Sequence, residues 1–169
     1  AWVGALIGGF ILFLTTSNIL KKELLTRKQA LRLMGGQVLF GVLIALFSGF
    51  TVATLGTIAG INMPSYFLVG SFVSFAAFCF FLLVSAVTAW IGKPAITLFM
   101  VVMLLGMGVL MMPMEMLPDF FVNFIRPWVP IRFAAEGLRD IFYFGSGFYT
   151  GASFNTIAGI GIAGLVLYV

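Results

Sequence analysis

The sequence predicts an all-α polytopic membrane protein, and three observations carry that expectation. Apolar residues form 62% of the 169-residue chain, charged residues only 8%, and the mean hydropathy is +1.20, where soluble domains average roughly 25% charged residues. The apolar runs are each close to the ~20 residues that a helix needs to cross the hydrocarbon core. All charges but Lys93 fall into two stretches, 21–32 and 115–140, which leaves the segments between them free to sit in lipid. No polar block remains for a nucleotide-binding or catalytic domain. Ala1 opens inside an apolar run and Val169 closes inside another, so the chain reads as a fragment whose preceding parts lie upstream.

Residues 1–20 are expected to form the first crossing. They lack the basic start and small-residue cleavage site of a signal peptide. Gly4 and Gly8 have the spacing that lets a second helix approach closely, or are simply tolerated in a membrane helix. Residues 21–32 (KKELLTRKQALR) carry five cations and one acid and read as a short amphipathic helix in the interface. By the positive-inside rule this segment faces the cytoplasm and residue 1 lies outside. Its bland role is a topology anchor on anionic lipid. The sharper role is docking of a cytoplasmic partner through Lys21, Lys22, Arg27, Lys28 and Arg32.

The second crossing is expected over 33–62. Gln37, Gly41, Ala45, Ser48, Ala59 and Asn62 fall within a narrow arc at about 100° per residue, a face that suits protein or a cavity better than lipid. Gly56 and Gly60 repeat the close-approach spacing, and the Asn62-Met63-Pro64-Ser65 turn follows. The third crossing, 65–91, has Gly70, Ser74, Ala77, Ser85 and Thr88 on one side and phenylalanines over much of the rest. Helix packing explains its small face better than a substrate path. Gly92-Lys93-Pro94 makes an inner turn. The fourth crossing, 95–112, holds five methionines, which fill irregular gaps; a metal role is disfavoured because no histidine or clustered cysteine accompanies them.

Residues 113–151 collect four of the five acids and three arginines. Prolines 113, 118, 127 and 130 forbid one uninterrupted helix, so two short re-entrant helices are expected around an Arg126-Pro127-Trp128-Val129-Pro130 corner. In the second of them Arg132, Glu136, Arg139 and Asp140 share a face. Ion pairs that let the helix lie in the interface are the plain reading; an outer gate built from these four and Arg126 is the functional one. The fifth crossing, 152–169, ends inside. The inner loops then hold six Lys/Arg against three outside, in keeping with the assigned topology.

The chain has no histidine, which removes histidine-dependent triads and zinc sites. It has no phosphate-cradling loop and no acid within the five spans, which weakens proton-coupled pumping. No catalytic, cofactor or metal residues are assigned, no enzyme activity is expected, and nucleic-acid binding has no support beyond the topogenic basic loop.

The segment MLPDFFVNFIRPWVPIRFAAEGLRDIFYFG resembles the closing motif of ABC-2-type permeases, in particular the YhgE/Pip (phage infection protein) branch. The resemblance rests on Leu117-Pro118, Phe120-Phe121, the Pro127 and Pro130 corner and Gly137-Leu138-Arg139, with Trp2 and Gly92-Lys93-Pro94 also in keeping. Where the family often has a glycine-rich approach to Leu-Pro, this chain has Met111-Met112-Pro113-Met114-Glu115. The resemblance implies five transmembrane helices of a six-helix ABC-2-type permease core plus the outer re-entrant helix pair, with an upstream helix and outer domain before residue 1. It implies a permease subunit of a bacterial plasma-membrane exporter of an apolar or amphipathic substrate, driven by an ATPase in trans and working as a homodimer or heterodimer. The alternative is a membrane anchor or scaffold of a type VII secretion component or phage-receptor protein. Gln37, Ser48, Gly56, Gly60, Ser74 and Ser85 are assigned to helix packing or to lining a path.

Overall fold

A computed structural model describes residues 27–92, 94–111, 116, 118–125, 129–145, 147–149 and 151–168, and among them every regular element is helical. The elements are α1 (Arg27–Ile58), α2 (Tyr66–Ile91), α3 (Pro94–Met111), a π-helical turn (Phe121–Ile125), α4 (Pro130–Phe144) and α5 (Ala152–Tyr168). Two helices are long and apolar enough to cross a membrane, over Gly35–Ile58 and Tyr66–Ile91, while Thr97–Met107 and Ala152–Leu167 are shorter apolar stretches. The expected first crossing and residues 21–26 lie outside the described residues.

Helix α1 differs from the expected layout at both ends. No break separates the basic segment from the apolar one: residues 27–58 form a single helix of 32 residues, about 48 Å long at 1.5 Å per residue. That exceeds the ~30 Å hydrocarbon core, so the basic turns can continue the helix instead of forming a separate interfacial one. At the other end the helix stops at Ile58, and Gly60 takes a left-handed φ of 76° in the connecting turn. The Gly56/Gly60 pair therefore offers no helical face. Gly56 is instead covered by the Met63 side chain.

Helix α2 is the hub. Ser65 caps its start by accepting from the Leu68 N–H at 3.5 Å, and Gly92, at φ 80°, ends it by donating to the Thr88 carbonyl. Its sides are covered by α1 and α5 and, less extensively, by α3 and α4. Phe72, Phe80, Phe81, Val69, Val73, Cys79 and Val84 form a core that Phe99 of α3, Ile141 of α4 and Ile157 of α5 complete.

The α1–α2 seam is built from small residues. Gly41, Ala45, Gly49 and Ala53 recur every fourth residue and are all buried. The Phe81 ring covers Gly41 and the Phe50 ring covers Gly70. A Cβ at Gly49 would fall 2.6 Å from the Ser74 backbone nitrogen and 2.7 Å from the Gly70 carbonyl oxygen. The Ser74 hydroxyl also lies against Gly49, so the two backbones meet here with only this small side chain beside them, the close approach that small residues permit in membrane bundles. The pairs Gly41–Phe81, Gly49–Ser74 and Thr54–Tyr66 run antiparallel.

Helix α5 runs parallel to α2. Phe154 stacks on Phe75 at 5.0 Å, Gly161 packs on Cys79, Gly164 on the Leu82–Leu83 backbone, and the Trp90 indole donates to the Leu167 carbonyl at 2.8 Å. The α2 C-terminus, the α5 C-terminus and the α1 N-terminus therefore share one end of the bundle. Helix α4 sits toward the opposite end, where the Phe72 ring lies under Gly137 and α4 residues adjoin Ile61 and Asn62.

Candidate functional site

The only strongly amphipathic helix among the described residues is α4, and its charges make it the place to look for recognition. Pro130 stands in its first turn, where the missing N–H costs nothing, and Gly145 ends it in a left-handed conformation while donating to the Asp140 carbonyl. The helix buries Gly137 and Ile141 against α2 and half-buries Ile131, Phe133, Ala134, Leu138 and Phe142. At its start Val129 and Ile131 pack on Gly106 of α3.

Arg132 and Glu136 are joined by a salt bridge of 2.6 Å, one helical turn apart, and the Arg132 guanidinium lies 5.5 Å from the centre of the Phe133 ring. Both charged side chains are about one-third exposed, so the pair contributes only about 0.3–0.5 kcal/mol. It orients the helix surface and does little to hold the fold. No ion pair joins Glu136 to Arg139 among the described residues. Arg139 is exposed and Asp140 half-buried. Arg126 lies outside the described residues, as do Lys21 and Lys22.

Arg139 lines an open pocket of about 440 Å³ with Ile61, Asn62, Leu138, Phe142 and Tyr143. Tyr143 carried no signal in the sequence beyond being one aromatic among many, because only the fold brings the end of α4 to the α1–α2 connection.

The other assigned residues separate by place. Arg27, Lys28 and Arg32 stand in the opening turns of α1, at the end of the bundle away from α4. Gln37 and Ser74 are buried, Ser74 in the α1–α2 seam and Gln37 on the α1 face that continues into it. Ser48 is half-buried and donates to Ala45 of its own helix. Ser85 has a shielded hydroxyl with no partner among the described residues.

Several other hydroxyls of the apolar helices bond locally. Thr51, Thr54, Ser74, Thr88 and Thr156 each donate to the carbonyl four residues back, which satisfies them without water. Thr51, Thr54, Ser74 and Thr88 on α1 and α2 thus need no aqueous path to explain them, whereas the Ser85 hydroxyl is left without a partner among the described residues. Among the described residues no cluster of metal-ligating side chains occurs.

Comparison of the chain with protein-family models, with curated proteins and with solved structures gives no match.

Proposed function

We propose that the chain is the membrane domain of an ABC-2-like exporter, acting with an ATPase in trans on an apolar or amphipathic substrate. The observation that carries this reading is the polarity of the bundle: a basic helical start at one end and an amphipathic, charge-bearing helix across the other. That pairing is what a permease needs, with one face for a cytoplasmic motor and one for an outer exit. The reading includes five crossings with residue 1 outside and residue 169 inside, in a bacterial plasma membrane. The 119–125 and 130–144 helical segments would be the outer re-entrant pair.

Two features support the membrane setting. The first is the apolar surface: Leu39, Phe47, Leu55 and Ile58 of α1 and Leu104 of α3 are all about 60–80% exposed, a display that soluble monomers seldom tolerate. The second is the placement of aromatic residues with polar tips. Tyr66, Tyr143 and Tyr149 gather at one end, and Trp90 stands at the other. Tyr66 and Trp90 are about 36 Å apart along α2 at 1.5 Å per residue, between the ~30 Å hydrocarbon core and the ~40–45 Å full bilayer. Interfacial tyrosine and tryptophan belts have this spacing.

One observation favours the second reading, an anchor or scaffold for secretion or phage reception. The small-residue face of α1 is covered by α2 of the same chain, so a path lined by that face is already closed. An exporter of this kind would need its path between two copies.

Copurification decides between the two. With the permease reading, an ATPase copurifies from native membranes, and reversing Lys22, Arg27 and Lys28 to glutamate removes it while the bundle stays folded. Full-length protein that supports secretion or phage adsorption with no ATPase partner would overturn the permease reading.

A further inference from the structure

The pocket between the end of α4 and the α1–α2 connection has a composition that selects one kind of ligand. Its lining residues divide into the apolar Ile61, Leu138 and Phe142 and the polar or polar-tipped Arg139, Asn62 and Tyr143. Among the described residues no carboxylate lies within ion-pairing distance of Arg139. Its neighbour Asp140 stands one residue on, about 100° round the helix. Among the described residues the guanidinium thus has no carboxylate partner, and its planar fork matches phosphate oxygens. The pocket also lies at the level of Tyr66 and Tyr143, the level that a bilayer interface occupies if the membrane reading above holds, on which this inference rests.

We propose that this pocket is a binding site for an anionic phospholipid of the outer leaflet. Arg139 holds the phosphodiester, Asn62 and Tyr143 bond the headgroup, and the first methylenes of the chains lie over Leu138, Phe142 and Ile61. The lipid wedges α4 to the α1–α2 connection and so couples the amphipathic helix to the membrane. A phosphodiester fits better than a free anion, because half of the lining is apolar and would stay unsatisfied under inorganic phosphate.

The test uses the whole protein. Membranes are first washed with alkaline carbonate; release of the protein would overturn the membrane reading and this site with it. Retained protein is purified and its bound lipid counted by native mass spectrometry after equal exposure to phosphatidylglycerol and phosphatidylcholine. Phosphatidylglycerol is expected to be kept about fivefold over phosphatidylcholine: both carry the phosphodiester, but the choline ammonium offsets its charge beside Arg139, and one cation near a net anionic headgroup supplies about that ratio. R139Q abolishes the preference, R139K keeps part of it, and Y143F reduces it. Equal retention of the two lipids, or an unchanged preference in a folded R139Q protein, overturns the site while leaving the membrane reading intact. Displacement of the lipid by soluble glycerol phosphate would also overturn it, since the apolar half would then contribute nothing. Unfolding of R139Q leaves N62A and Y143F to decide, and both must weaken the preference.

Discussion

Gly49→Ala is expected to destabilise the bundle by about 2 kcal/mol, while the same replacement at Gly159 stabilises it slightly. Alanine is a better helix former than glycine by about 0.5–1 kcal/mol, so both changes start with the same local gain. At Gly159 an added Cβ meets nothing within 4 Å, and the gain stands. At Gly49 the Cβ would meet the Ser74 hydroxyl and, behind it, the backbone of α2 at the Ser74 nitrogen and the Gly70 carbonyl. Backbone cannot rotate away as a side-chain tip can, so the helices must separate. Overpacking of this kind costs about 1–3 kcal/mol, and the loss spreads along the seam because Gly41 and Ala45 lie on the same face. Unfolding in mixed micelles of mild detergent and dodecyl sulfate measures both variants. Shifts of equal sign and size would mean that α1 does not meet α2 at Gly49.

Phe72→Ala is expected to cost about 3 kcal/mol or more, the range for a large side chain removed from a packed core. Phe72 is fully buried, its ring fills the space over Gly137, and it meets the edge of Phe148 at 6.4 Å. It is the residue through which α2 seats α4 and the connection to α5 together. Its loss should release the Phe148 ring and loosen the already exposed stretch 147–149, so that limited proteolysis cuts there before the rest of the bundle opens. Phe47→Ala serves as the contrast, since Phe47 is 78% exposed and its removal should change stability by less than ~0.5 kcal/mol. If the two substitutions behave alike, α2 is not the hub.

The all-helical class and the places of the main turns were legible because composition and breakers act locally. Gly92 and Pro94 had to end one helix and begin another, and Pro130 had to open one. The small face of α1 was legible in part. A stripe at constant azimuth picks out Gln37, Gly41, Ala45 and Ser48, whereas the buried residues run on through Gly49 and Ala53. The difference has a physical reason. A partner helix that crosses at an angle follows the row of every fourth residue, which is inclined to the axis, so the stripe and the contact diverge after two turns.

The central position of α2 was not legible. Its small residues mark one packed side, but whether Phe72, Phe80 and Phe81 face lipid or protein depends on where α4 and α5 return, and that is a matter of long-range topology. The pocket at Arg139 was hidden for the same reason, because Asn62 and Tyr143 are 81 positions apart in the chain and meet only through the fold. The Arg132–Glu136 bridge, in contrast, was readable from its i,i+4 spacing alone.

The most direct test of the membrane bundle is the sidedness of its two charged ends. In a Cys79→Ala background, single cysteines replace Lys28 in the opening turn of α1 and Tyr143 near the end of α4, and intact cells are treated with a membrane-impermeant maleimide. Tyr143→Cys is expected to label in intact cells and Lys28→Cys only after permeabilisation, with Phe47→Cys, midway along α1, resisting the reagent in both. Labelling of the first two from the same side would contradict a bundle that crosses the bilayer with its basic end inside.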